Sequence, residues 1–187
     1  SSSLLMACKT IGLSNNDIIW TSNVTYIASI NCGLHLGAKI DLVDIDDTNN
    51  ICVNNLEKKL ILAKKEKKLP KILVAVHLSG LPCNLKRIKE LSKIYKFKII
   101  EDASHAFGSV YDNSKIGSCK FSDLTIFSFH PLKKSTEAFF YPGGHQTFSE
   151  GLNLCQRRDF EKRAHRSPTV VVVLIDVGVR AATIAVR

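Results

Sequence analysis

The sequence lacks the features of several common classes of protein. Its longest apolar run, residues 170–175, is six residues long, whereas a helix that spans a membrane needs about 20. The chain opens with Ser1, Ser2 and Ser3 instead of a charged and apolar leader, so we expect no signal peptide and interpret the chain as a fragment of a larger domain. We therefore do not expect a membrane as a partner.

Cysteine and basic residues do not form the patterns that mark metal or nucleic-acid sites. The six cysteines never form a C-x-x-C pair, which argues against zinc, and scattered thiols suit a reducing cytoplasm. The net charge of +9 comes mostly from lysines on the polar faces of predicted helices, as in residues 58–68. We interpret these lysines as solvated helix surface, because no nucleic-acid motif accompanies them.

Arginine is nearly absent from the first part of the chain. Residues 1–133 contain 17 of the 19 lysines but only Arg87, whereas residues 134–187 contain six of the seven arginines and two lysines. No linker separates the two compositions. Our hypothesis is a shift of reading frame or an assembly error near Lys133 and Lys134, which would make residues 134–187 an aberrant or poorly ordered tail. The alternative is a genuine but unusual C-terminal segment.

The first part of the chain alternates between strand and helix patterns. Apolar runs predict strands at residues 17–20, 39–45, 72–78, 97–100 and 124–129. Apolar residues at helical spacing predict helices at residues 4–11, 25–36, 54–68 and 84–95, the last capped by Asn84. Strands that alternate with helices indicate an α/β fold with a mainly parallel sheet.

Two segments at the ends of predicted strands carry the chemistry. Residues 101–108 (Glu-Asp-Ala-Ser-His-Ala-Phe-Gly) place Asp102 at the carboxyl end of an apolar strand, the edge where open α/β sheets bind ligands. Residues 127–133 (Phe-Ser-Phe-His-Pro-Leu-Lys) place Ser128 and Lys133 five residues apart after another strand. A carboxylate, a hydroxyl and an amine together suit pyridoxal phosphate (PLP), which needs an anion at its ring nitrogen, donors to its phosphate and an amine for its aldehyde.

These paired segments resemble the signature of the DegT/DnrJ/EryC1/StrS family of PLP-dependent sugar aminotransferases. The resemblance covers residues 1–133. It implies a partial large domain of the PLP-dependent transferase fold type I, with three layers and a mainly parallel sheet, and with the small domain missing. It also implies a homodimer with shared active sites that transfers an amino group from glutamate to a 4-keto nucleotide sugar, with a UDP-sugar as the expected substrate, for surface-glycan or pseudaminic acid synthesis.

The resemblance also assigns roles to individual residues. Lys133 matches the catalytic lysine that binds the cofactor aldehyde and moves protons. Asp102 matches the partner of the ring nitrogen, and His105 matches a position that donates to the phenolic oxygen. The remaining matches are the aromatic residue that stacks on the ring and the hydroxyls that bind the phosphate, namely Tyr26, Ser1, Ser2 and Ser128. Residues 77–80 (His-Leu-Ser-Gly) resemble a segment that forms a wall of the site.

The likeness ends directly after Lys133. The family continues with a Thr-Gly-Glu-Gly-Gly segment, but Lys134, Ser135 and Thr136 follow here. We therefore expect the chain as written to be inactive or to bind PLP weakly. Two alternatives stay open, namely a non-catalytic binding protein with this fold and a basic binding module whose motif is accidental.

Overall fold

The computed structural model describes residues 2–128, 173–177 and 180–184. A parallel five-stranded sheet forms its centre. In chain order its strands are β1 (Ile18–Ser22), β2 (Lys39–Val43), β3 (Ile72–Val76), β4 (Lys98–Asp102) and β7 (Leu124–Ile126). Their order across the sheet is β2-β1-β3-β4-β7. Because every pairing is parallel, all five carboxyl ends lie along one edge of the sheet.

Helices cover both faces of this sheet and give the domain three layers. The helices are α1 (Ser2–Ile11), α2 (Ala28–Leu34), α3 (Val53–Lys65) and α4 (Leu85–Tyr95). Buried residues of α1 and α2 pack in one apolar cluster, and those of α3 and α4 pack in another. All five residues of β3 are buried, as expected for a central strand covered on both faces. The α/β fold predicted from the sequence is therefore confirmed.

Local signals explain several element boundaries. The Asn84 side chain accepts a hydrogen bond from the Arg87 N–H at 3.3 Å and so caps α4, as predicted. Lys96, with a φ of 64°, ends the same helix in the left-handed conformation. The helix predicted at residues 25–36 is shorter and begins only at Ala28, because residues 23–27 form the turn that follows β1.

Two short hairpins complete the described structure. Strands β5 (Val110–Tyr111) and β6 (Ser114–Lys115) pair beside the sheet. Strands β8 (Val173–Val177) and β9 (Arg180–Ile184) form a second antiparallel pair. Most of residues 134–187 lie outside the described residues, so the proposed division of the chain after Lys133 stays a prediction. No helix in the described segments is both long and apolar enough to cross a membrane.

Candidate cofactor-binding site

Asp102 lies where the sequence predicts it, at the carboxyl end of β4. Its side chain is 5% exposed. The Ser104 hydroxyl donates to Oδ1 at 2.5 Å and the Ser104 N–H donates to the same oxygen at 3.1 Å. On the other oxygen, Oδ2, the Ser29 hydroxyl donates at 3.4 Å. The carboxylate is therefore held by an amide and two hydroxyls.

Residues 25–29 supply a second link in this network, which sequence analysis missed. The Thr25 hydroxyl donates to the Ser29 hydroxyl at 2.9 Å, and the Ser29 hydroxyl in turn donates to Oδ2 of Asp102. The Ser29 N–H also donates to the Tyr26 carbonyl at 3.0 Å, which forms the turn before α2. Two hydroxyls four residues apart, Thr25 and Ser29, were the available sequence signal, but this spacing is too common to indicate a site by itself.

The donor set around Asp102 fits the ring nitrogen of PLP. Its partners within the described residues are electrically neutral, and a buried carboxylate with neutral partners is costly unless a cation compensates it. A protonated pyridine nitrogen is such a cation. When bound, the cofactor would supply an electron sink, and Asp102 would keep that nitrogen protonated.

His105 is anchored by the short helical turn at residues 78–80. The Ser79 N–H donates to His105 Nδ1 at 3.3 Å, so the ring hydrogen belongs on Nε2 in the neutral tautomer. Gly80, with a φ of +82°, approaches the same residue closely, because a Cβ at Gly80 would lie 2.9 Å from the His105 carbonyl oxygen. The predicted wall segment is therefore a support for His105.

A second buried polar group lies on the opposite face of β4. Glu101 is 2% exposed and His77 is fully buried, with Nε2 of His77 3.0 Å from Oε2 of Glu101. The Thr125 hydroxyl donates to Oε1 of Glu101 at 3.3 Å. Next to Thr125 lies Cys119, whose thiol pKa is raised by burial and by the charge of Glu101. Sequence analysis did not assign Glu101 a role, although its position beside Asp102 in a buried strand was visible.

The other predicted site residues are placed only in part. Ser2 is the exposed first residue of α1, and Tyr26 is 61% exposed in the turn before α2. Ser128 is half-buried two residues beyond the end of β7, on the same edge as Asp102. Ser1 and Lys133 lie outside the described residues. The clustering of Asp102, Ser128 and Lys133 around one cofactor stays a prediction.

Comparison with known proteins extends these observations. The profile of the DegT/DnrJ/EryC1/StrS aminotransferase family matches residues 1–143. UDP-4-amino-4,6-dideoxy-N-acetyl-beta-L-altrosamine transaminase of Campylobacter jejuni is 36% identical over 136 residues, which are 73% of this chain and 35% of that protein. GDP-perosamine synthase of Escherichia coli O157:H7 is 35% identical over 134 residues, 71% of this chain and 35% of the relative.

Solved structures agree with the sequence matches. A DegT DnrJ EryC1 StrS aminotransferase from Brucella abortus has a TM-score of 0.65 and 26% identity, covering 78% of this chain and 44% of its own. Helicobacter pylori PseC, an aminotransferase involved in the biosynthesis of pseudoaminic acid, has a TM-score of 0.61 and 28% identity. The match covers 69% of this chain and 33% of PseC. This chain spans about a third of the length of the curated relatives it matches.

Proposed function

The chain belongs to the DegT/DnrJ/EryC1/StrS aminotransferase family, and from that premise we propose that it is part of a PLP-dependent enzyme that transfers an amino group to a nucleotide sugar. Aminotransferases of this family depend on PLP. The observation that carries the proposal is Asp102, a buried carboxylate at the carboxyl edge of the sheet whose described partners are all neutral. Such a carboxylate is costly to bury without a compensating cation, and the protonated ring nitrogen of PLP would supply one.

Each residue has a separate task in this proposal. Asp102 would orient the cofactor ring and keep its nitrogen protonated, and Ser29 and Ser104 hold the carboxylate in place. His105 would donate from Nε2–H to the phenolic oxygen. Ser1, Ser2 and Ser128 would bind the phosphate, and Tyr26 would cover the ring. Lys133 would hold the aldehyde and serve as the group that carries a proton, for which its amine must lose its charge.

For the substrate we propose a 4-keto UDP-sugar, with glutamate as the amino donor, in surface-glycan or pseudaminic acid synthesis. Two relatives, a UDP-sugar transaminase and GDP-perosamine synthase, support a nucleotide sugar as the general class of substrate. A cytoplasmic homodimer is part of the same proposal. Because Lys134–Thr136 replace the family's glycine-rich segment, we expect this 187-residue chain to turn over substrate slowly or not at all.

Cofactor binding tests the proposal without requiring turnover. The chain is titrated with PLP, reduced with borohydride and digested, and the modified peptide is identified by mass spectrometry. We expect one pyridoxyl group on Lys133, and none at that peptide in Lys133→Ala. Asp102→Asn, which keeps the size of the side chain but not its charge, should weaken PLP binding at least about tenfold, since a hydrogen bond between charged groups contributes roughly 1.5–3 kcal/mol.

Asp17→Asn is the matched control, because it makes the same change at the opposite edge of the sheet. It should leave the affinity for PLP unchanged. Labelling spread over surface lysines, or equal affinity in the wild type and Asp102→Asn, would contradict the proposal and favour a non-catalytic binding protein. Release of 2-oxoglutarate over many turnovers from glutamate and a 4-keto UDP-sugar would disprove only the expected inactivity of this chain.

A further inference from the structure

The buried pair His77 and Glu101 has no task in the proposed reaction. The two side chains lie on the face of the sheet opposite to the Asp102 carboxylate, because successive residues of a strand point to opposite faces. Their 3.0 Å contact is fully shielded from water. Burying a carboxylate away from water is costly, so the position of Glu101 requires a structural or functional explanation.

The hydrogen bonds of His77 determine which of its ring nitrogens carries the hydrogen. The Cys83 N–H donates to His77 Nδ1 at 3.1 Å, so Nδ1 is an acceptor and the ring hydrogen lies on Nε2. Nε2–H then donates to Oε2 of Glu101, while the Thr125 hydroxyl donates to Oε1. Both oxygens of Glu101 are therefore acceptors, as in an ionised carboxylate.

This arrangement joins the carboxyl ends of three neighbouring strands. His77 follows β3, Glu101 belongs to β4 and Thr125 belongs to β7. The His77 N–H also donates to the Asp102 carbonyl at 3.1 Å. One residue, His77, therefore holds the backbone of Asp102 and the side chain of Glu101 at the same time.

Stability alone does not account for the pair. Replacing both partners of a buried hydrogen bond by apolar residues of the same shape can be nearly neutral or stabilising, whereas an error of about 1 Å in the position of a reacting group can reduce the rate about a hundredfold. We propose that Glu101 and His77 are positioning residues that fix the end of β4 and so set the location of the Asp102 carboxylate against the cofactor ring nitrogen. This inference rests on the proposed PLP function.

The contact between Asp102 and the ring nitrogen can be measured separately by comparing two ligands that differ only at that nitrogen. The affinity of the full chain is measured for PLP and for an analogue in which carbon replaces the ring nitrogen. In the wild type we expect PLP to bind at least about tenfold more tightly than the analogue, because only PLP offers the N–H to Asp102. A general loss of stability would weaken both ligands equally and leave their ratio unchanged.

Glu101→Gln is the test variant, because it keeps the volume of the side chain and removes its charge. We expect the affinity ratio to fall to about threefold or less, with Asp17→Asn retaining the wild-type ratio. Thr125→Val keeps the His77 contact to Glu101 but removes the second hydrogen bond to Glu101, together with the contacts of the Thr125 hydroxyl to Cys119 and Ser122. It provides an independent variant should Glu101→Gln not fold, and it should also lower the ratio. Amide hydrogen exchange in the absence of PLP gives a further readout, since exchange at His77 N–H should become faster in either variant.

The outcomes separate this inference from the function on which it rests. If the wild type prefers PLP and both variants keep its ratio, the positioning role is wrong while the proposed function stands. If the wild type binds neither ligand, or binds both equally, the proposed function fails and the positioning role fails with it. A lowered ratio together with faster exchange at His77 supports the inference.

Discussion

Both edges of the central sheet hold carboxylates, but the partners of these carboxylates and their exposure to water differ between the edges. At the amino edge, Lys71 pairs with Asp17 at 2.8 Å and Lys98 pairs with Asp123 at 2.9 Å, and all four side chains remain partly in water. At the carboxyl edge, Glu101 and Asp102 are buried and bind hydroxyls, an amide and an imidazole. Ion pairs at the first edge join neighbouring strands, while hydrogen bonds from uncharged groups hold the buried carboxylates at the second edge.

The largest difference between the edges should appear when one partner of each pair is removed. His77→Ala leaves the Glu101 carboxylate buried, with Thr125 as its remaining donor among the described residues. Loss of a donor to a buried acceptor typically lowers the free energy of unfolding by about 1–3 kcal/mol, and by more where the acceptor is charged. Lys71→Ala exposes Asp17 to more water and should cost about 1 kcal/mol or less. Urea unfolding, followed by the fluorescence of Trp20, the single tryptophan, measures both.

Equal effects of the two variants would show that the edges do not differ energetically. His77→Gln is a useful second variant at the carboxyl edge, since its amide can still donate to Glu101. It should recover part of the stability lost in His77→Ala. Failure to recover any would indicate that the volume of the ring matters more than its hydrogen bond to Glu101.

A second contrast concerns two glycines with nearly the same backbone conformation. Gly12, with a φ of +81°, has open space where a Cβ would lie, with no atom within 4 Å of it, whereas a Cβ at Gly80, with a φ of +82°, would meet the His105 carbonyl oxygen at 2.9 Å. Alanine in the left-handed conformation costs about 1–2 kcal/mol at either position. We expect Gly12→Ala to show only this cost and Gly80→Ala to lose about 1 kcal/mol more, since a backbone oxygen cannot rotate away.

Urea unfolding of the two alanine variants measures this difference directly. Because the conformational cost is shared, the remaining difference reports the close approach of Gly80 to His105. The ratio of affinities for PLP and its carbon analogue should be unchanged in Gly12→Ala. Identical stabilities would mean that the turn at residues 78–80 can move away from His105, and it would then be a poor support for that side chain.

The sequence contained most of the information about the carboxyl edge but not how its parts connect. Apolar periodicity predicted the strands, and the segment around Asp102 predicted the carboxylate in its place. Residues 77–80 were predicted as a wall of the site, but the contacts of Ser29, His77 and Thr125 with the two carboxylates were not. Each of these contacts joins residues 24 or more positions apart, and a single sequence has no signal for such pairings. Helix α2 began later than predicted because the Thr25–Ser29 hydrogen bond and the turn at Tyr26 prevail over the local helical pattern.

The smallest effect is expected at Asp17 and depends on pH. Burial is the largest single influence and opposes ionisation, but the hydrogen bonds from Lys71 and Ser14 and the charge of Lys71 together outweigh it and lower the pKa of Asp17. Because the pKa in the folded state lies below that in the unfolded state, about 3.9, the ionised form stabilises the fold above that value and loses its effect as the pH falls through the folded-state pKa. Asp17→Asn should therefore lower the free energy of unfolding by at most about 1 kcal/mol at pH 7, with the difference from wild type vanishing near pH 2. Urea titrations at several pH values measure this, and a difference that persists at pH 2 would mean that Asp17 acts through its shape and not through its charge.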